Sequence, residues 1–122
     1  MSWTFKSDQP IYSQIVERIQ IRIVKGTYPP GSRLPSVREL ALEAGVNPNT
    51  VQRAYADLEQ NGFLRTERTN GKFVTDDHDM LRRLRMELSR GYIEELFEKM
   101  TGLGFTRQEI IEAIEAQRGE NE

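Results

Sequence analysis

The sequence predicts a mainly α-helical chain with a small β wing: a winged helix-turn-helix over residues 1–77, followed by a two-helix tail over residues 78–122. Three observations carry this prediction. Leu34 to Ala41 and Val46 to Tyr55 read as two short helices separated by a glycine turn at Gly45. Asn70-Gly71 sits between Phe63–Glu67 and Lys72–Thr75, two runs that read as short strands, and is a hairpin signal. Beyond Asp77, leucines recur at helical spacing along a single long segment.

At the start of the chain, Trp3-Thr4-Phe5 alternates apolar and polar residues and suits a short strand or arm. Asp8 and Pro10 mark the start of a first helix, since proline is tolerated in a first turn. Its inward stripe is Ile11, Ile15, Ile19 and either Val16 or Ile23, and Gly26 ends it near Lys25. Tyr28-Pro29-Pro30-Gly31-Ser32 is turn chemistry.

Ser36 caps the second helix, and Glu39 three residues on completes a capping box. Val37, Leu40, Ala41 and Ala44 face inward, and Gly45 closes the helix in a left-handed conformation. Asn47 caps the third helix with Pro48 at its first position; Val51, Ala54, Tyr55 and Leu58 form its buried stripe, and Asn61-Gly62 ends it. Phe63–Glu67 and Lys72–Thr75 are the two strands of the hairpin.

Asp76 and Asp77 open a long helix from His78 to about Met100, with Leu81, Leu84, Leu88, Tyr92 and Leu96 along one face. Met86, Ile93, Phe97 and Met100 widen that face, and Gly91 marks a kink or a close helix contact. Gly102-Leu103-Gly104 is a break. Thr106 and Glu109 form a second capping box, and Ile110, Ile111 and Ile114 are the apolar face of a last helix ending near Arg118.

Composition narrows the chemistry. The chain has no cysteine and a single histidine, His78, which excludes disulfides, thiolate zinc sites, a cysteine nucleophile and histidine clusters; neither a metal nor a cofactor is expected. His78 itself reads as a cap or surface residue. No run of about 18 apolar residues exists to span a membrane, and no secretory signal opens the chain, so the expected location is the cytoplasm. The net charge of −2 is unevenly spread. Through Asp77 there are ten Lys/Arg against nine Asp/Glu; from His78 on there are seven against ten. The first part is therefore the candidate surface for a polyanion. Glu94, Glu95 and Glu98 lie at exposed helical spacing without partners and suit a solvated face, so no enzyme is expected.

With the inward stripe of the third helix assigned, Asn49, Thr50, Gln52 and Arg53 point outward near its N-terminus. Asparagine and glutamine can pair with adenine, arginine with guanine, and threonine with a thymine methyl. The helix terminus adds N–H groups for a phosphate. Arg38, beside Ser36 on the outer face of the second helix, suits a phosphate contact. Arg33, Arg65, Arg68 and Lys72 lie in loops or the wing around the same surface. Together these residues point to double-stranded DNA as the partner.

Residues Pro10 to Thr75 closely resemble the winged helix of the GntR family of bacterial transcription regulators. The matching runs are Pro10 to Ile15, Gly26 to Ala41, Val46 to Tyr55, Leu58-Glu59 and Asn61-Gly62. The short tail resembles that of the small YtrA-like subfamily. The resemblance implies that Arg38 contacts the DNA backbone or a base, that Asn49, Thr50, Gln52 and Arg53 are recognition-helix contacts, and that Gly71 lies near the minor groove. It also implies a repressor whose targets are neighbouring membrane-transporter genes. Members of the family usually bind a small-molecule effector, which here either sits at the dimer interface near Tyr92 or Phe97 or does not exist, since nothing in the short tail marks a pocket. The wing departs from the family pattern: Thr69 replaces a usual glycine, and Lys72 stands where threonine is usual and adds a candidate phosphate contact.

The tail carries more apolar surface than one helical hairpin hides against itself. A symmetric homodimer burying Leu88, Tyr92, Leu96, Phe97, Ile110 and Ile114 is the expected solution. It would set two recognition helices about one DNA turn apart on a near-palindromic operator. The alternative function is a winged-helix protein-interaction module without sequence-specific DNA binding; Arg38 with Asn49, Thr50 and Arg53 on one surface favours DNA.

Overall fold

A computed structural model describes residues 2–68 and 70–118. Among these, the order is α1 (Ile11–Lys25), α2 (Val37–Ala44), α3 (Pro48–Gln60), β1 (Leu64–Glu67), β2 (Gly71–Val74), α4 (His78–Gly102) and α5 (Arg107–Ala116). The chain divides into two compact units, one through Arg85 and one from Met86, so the division falls inside α4.

In the first unit each helix starts and stops where local chemistry dictates. α1 follows Pro10 and ends on Gly26, whose φ of 94° gives the left-handed turn that returns its N–H to Ile23. The α2 capping box is complete: Glu39 N–H donates to Ser36 Oγ at 3.1 Å, and Ser36 N–H donates to Glu39 Oε1 at 2.9 Å. These bonds, led by the one from the Ser36 backbone, hold the Glu39 carboxyl below its ordinary range. Asn47 caps α3 by accepting from Asn49 N–H at 2.8 Å, with Pro48 at the first helical position.

The core is built from Ile15, Ile19 and Ile23 of α1, Leu40 and Ala41 of α2, and Val51, Ala54, Tyr55 and Leu58 of α3. Each fully buried aliphatic side chain contributes about 1.5–3 kcal/mol by leaving water. Leu34, Leu64, Val74 and Leu81 close the cluster. α3 packs on α1, α2 and β1, which makes it the pivot of the unit. Ile11, expected in the inward stripe, is instead 37% exposed, because the stripe turns out of the core at the first residue of α1. Val16 is half-buried and Ile23 holds the inner position.

The hairpin is antiparallel, with Leu64 opposite Val74 and Glu67 opposite Gly71. Each strand starts one residue away from its expected limit: Phe63 closes the turn after α3 by donating its N–H to Leu58, and Gly71 joins β2. The loop before α2 adds a third layer. Leu34 N–H donates to Lys72 O and Val74 N–H donates to Ser32 O, both at 2.9 Å, and Arg33 bridges Phe73. Trp3-Thr4-Phe5 forms an arm and not a strand. Trp3 N–H donates to Ala44 O at 3.1 Å, its indole N–H donates to Glu43 at 3.0 Å, and its ring lies 4.9 Å from both the Arg18 and Arg22 guanidinium carbons. Asp77 opens α4 by accepting from Met80 N–H, and Leu81 and Leu84 are buried. His78 is exposed.

The second unit comprises the rest of α4 and α5. α4 runs unbroken through Gly91, where an added Cβ would meet nothing within 4 Å, so among the described residues no close helix contact accounts for the glycine. It also continues through Gly102, so the break narrows to the residues after it, with Gly104 at φ 92°. Thr106 and Glu109 form the second capping box. Ile110 is fully buried, and the Arg107 guanidinium lies 5.1 Å from the Phe97 ring centre. α5 ends at Ala116, short of Arg118.

Candidate nucleic-acid interface

Burial of Val51, Ala54, Tyr55 and Leu58 fixes the rotation of α3 about its axis. The consequence is that Asn49, Gln52 and Arg53 are exposed and Thr50 is half-buried. α2 is held by the Ser36 cap and by Tyr55, whose phenol donates to Pro35 O at 2.7 Å from inside the core. Burial pushes the Tyr55 phenol far above its usual pKa, so this bond persists through the neutral range. Arg38 stands exposed on the second residue of α2.

Two concavities gather most of the expected site residues. The first, about 290 Å³, is lined by Pro10, Ile11, Tyr12, Asn49, Thr50 and Arg53. The second, about 190 Å³, lies between the α2 start and the wing and is lined by Arg33, Ser36, Gly71 and Lys72 with Leu34, Pro35, Val37 and Tyr55. Gly71 has φ 92°, a conformation that favours glycine, and a Cβ there would lie 3.4 Å from Arg33 Nε. Gln52, Arg38 and Arg68 lie outside both concavities as exposed side chains. Thr69, the wing departure, lies outside the described residues.

The cations of this surface fall into two groups. Lys72 is engaged: its ammonium lies 2.6 Å from Glu59 Oε1 and 2.7 Å from Thr66 Oγ1, and Thr66 in turn donates to Glu59 Oε2. The Lys72 hydrogen bond, then that of Thr66, holds the Glu59 carboxyl below its usual range. Arg65 is engaged too, with Asp76 at 3.1 Å, Glu67 at 3.6 Å and Val74 O at 3.0 Å. By contrast, no hydrogen bond or ion pair occupies Arg33, Arg38, Arg53 or Arg68 among the described residues. Arg53 instead rests on the Tyr12 ring, with 3.7 Å between guanidinium carbon and ring centre. Sequence reasoning missed the parts played by Tyr12 and Glu59, which depend on neighbours 41 and 13 positions away in the chain.

The arrangement is an open polar surface on helices whose other faces are buried in the core. Among the described residues no group of His, Asp and Glu could hold a metal ion, and no helix is long and apolar enough to cross a membrane.

Residues 11–74 match the family described as bacterial regulatory proteins of the gntR family. The chain is 40% identical over 110 residues, 90% of its length and 91% of the relative's, to an uncharacterised HTH-type transcriptional regulator, YhcF, of Bacillus subtilis. It is 43% identical over 72 residues, covering 59% of this chain and 55% of the relative, to the HTH-type transcriptional repressor YtrA of the same organism. Among solved structures, a GntR family transcriptional regulator from Listeria monocytogenes superposes with a TM-score of 0.83 at 40% identity, covering 92% of this chain and 98% of that one. The DNA-binding domain of AraR in complex with an operator superposes with a TM-score of 0.54 at 30% identity, over 62% of this chain and 93% of that one.

Proposed function

The chain belongs to the GntR family of bacterial regulatory proteins, and from that premise we propose that it is a repressor that binds a near-palindromic operator as a homodimer. DNA-binding transcription regulation is what the family does. The reading of this surface rests on one observation: the first turns of α3 expose Asn49, Gln52 and Arg53 while its other face is locked into the core. Side chains on such a helix are held in register with a major groove, where they can read base edges. Arg38 and Arg33 flank them and supply phosphate contacts that position the domain. Residues 1–77 supply the DNA-binding part and residues 78–122 the pairing part. The first two turns of α4 nonetheless pack in the same compact unit as the winged helix.

The dimer is supported by the second unit. Ile93 is 53% exposed and Leu96 is 40% exposed, with Tyr92 and Ile114 exposed beside them in the sequence pattern. Leu88 and Phe97 are half-buried. Ile110, expected at the dimer surface, is already buried within the single chain and is therefore part of the tail's own packing. Large exposed aliphatic groups on two amphipathic helices are what an isologous interface covers. The likeness to YtrA supports repression, and the YtrA-like tail extends the reading to transporter genes as targets.

Mobility shifts with DNA from upstream of the protein's own gene test the reading, with light scattering at micromolar concentration to measure the assembly. The expected result is a dimer on a site with two half-sites about one helical turn apart. Arg38→Ala should flatten the dependence of log affinity on log salt by about 0.9. A monomer of 14.1 kDa bound to a single half-site refutes the paired reading. Unchanged affinity and salt slope in Arg38→Ala refute the assigned surface.

A further inference from the structure

An exposed arginine on a recognition helix is a flexible group. Ordering it costs rotamer entropy, which weakens any base contact it makes. Arg53 does not stand free in this way. Its guanidinium carbon lies 3.7 Å from the centre of the Tyr12 ring, van der Waals contact with the ring face. Tyr12 is the second residue of α1, half-buried, and α1 is anchored by Ile15 and Ile19 in the same core that holds α3. The platform under Arg53 is thus carried by a different helix from Arg53 itself.

The kind of contact matters. Lys72 and Arg65 spend their N–H donors on carboxylates of the fold. A ring face takes none: it meets the π-face of the guanidinium and leaves its in-plane donors available. Arg53 is therefore held without being neutralised, in the concavity it shares with Asn49 and Thr50.

We infer that Tyr12 is a specificity-positioning residue: its ring holds the Arg53 guanidinium so that the donor edge meets a single base pair, with guanine, which presents two acceptors side by side in the major groove, as the base it suits. This inference rests on the proposed DNA reading of α3. Tyr12 need not touch DNA; it acts through Arg53.

The test uses the full chain and a duplex selected by the wild-type protein from a random-sequence library. Affinities are measured for that duplex, its single-base-pair variants and an unrelated duplex, all at one salt concentration. Tyr12→Leu removes the ring and should cost roughly threefold to tenfold in discrimination at one base pair, from the lost stack and the regained rotamer freedom. Binding to the unrelated duplex should not change. Tyr12→Phe keeps the ring and should discriminate as the wild type does. Arg53→Lys keeps the charge but loses the planar fork, and should lose discrimination at the same base pair. If Tyr12→Leu does not fold, Tyr12→Met, which keeps a long apolar side chain without a ring, takes its place and should show the same loss. Equal weakening of all duplexes by Tyr12→Leu, or a Tyr12→Phe variant as defective as Tyr12→Leu, overturns the inference, as does wild-type discrimination in Arg53→Lys. Two failures remain distinguishable. Arg53→Ala that keeps discrimination everywhere removes Arg53 from the recognition surface, and the inference with it; the same result for Asn49→Ala and Gln52→Ala as well overturns the recognition-helix reading itself. Arg53→Ala that loses one position while Tyr12→Leu keeps it overturns the inference alone.

Discussion

Replacing Glu59 by glutamine should make this protein slightly less stable and a tighter, more salt-sensitive binder of DNA. In the folded chain the Lys72 ammonium has three donors. One goes to Glu59 Oε1 at 2.6 Å and one to Thr66 Oγ1 at 2.7 Å. Glu59 also accepts from Thr66, so one carboxylate organises both wing residues. The side chains of Lys72 and Glu59 are 24% and 34% exposed, which places the pair between surface and interior. Solvent screening of such a pair limits its net worth to roughly 0.5–1 kcal/mol. For a chain of this size that is a fall in Tm of about 2–5 °C. The effect on DNA runs the other way. With the carboxylate gone, Lys72 is released toward the wing surface and one local negative charge disappears. One additional phosphate contact steepens the plot of log affinity against log salt by about 0.9.

The assay is a salt titration of wild type and Glu59→Gln by fluorescence anisotropy, with thermal melts alongside. The pH dependence supplies a second check. The Glu59 carboxyl lies below its ordinary range because Lys72 and Thr66 bond to its charged form. Its contribution to stability is therefore complete above the ordinary carboxylate range and is lost as pH falls through the lowered value. The gap in Tm between the two proteins should close over that acid window. An unchanged or shallower salt slope in Glu59→Gln would show that Lys72 does not reach phosphate even when released, and the division of cations into engaged and available would fall with it.

Three further predictions follow from other parts of the fold. Ser36→Ala removes the α2 cap and should cost about 1 kcal/mol in urea unfolding; Thr106→Ala removes the matching cap in the tail and should leave DNA affinity unchanged. Leu96→Glu places a charge among exposed aliphatic groups of α4 and should shift light scattering from dimer toward monomer, with specific DNA binding weakened and melting of the first unit unaffected; a dimer that persists refutes this placement of the interface. Arg22→Ala breaks a cluster in which Arg22 bonds Glu43 at 2.5 Å and the Tyr28 hydroxyl at 2.6 Å beneath Trp3. It should cost about 1–2 kcal/mol and shift the emission of Trp3, the sole tryptophan; unchanged emission would show that the arm is held by other contacts.

Much of the fold was legible in the sequence because its signals are local. The capping boxes at Ser36 and Thr106, the proline after Asn47 and the glycines at 26 and 45 each act within four residues. Apolar spacing then set which side of α3 turns inward, and that alone exposed Asn49, Gln52 and Arg53. Periodicity failed where a helix leaves its support. Ile11 fits its stripe but stands exposed, because a stripe states which residues could share a face and not how far the neighbouring element extends. Gly91 looked like an interruption, yet the helix continues through it, because a single glycine weakens a helix by only about 1 kcal/mol without ending it.

The sequence by itself determined the kind of molecule: a winged helix whose third helix turns a polar face outward, followed by a two-helix tail. Only the tertiary structure decided which charges on that surface are available. Lys72 and Arg53 look alike in a list of cations, but Lys72 meets Glu59 across the wing and Arg53 meets Tyr12 across two helices. Opposite charge neutralises a cation, and an aromatic face holds it while leaving its donors open. Which of these a side chain meets depends on contacts between distant segments, and those exist only once the core has set the helices against each other.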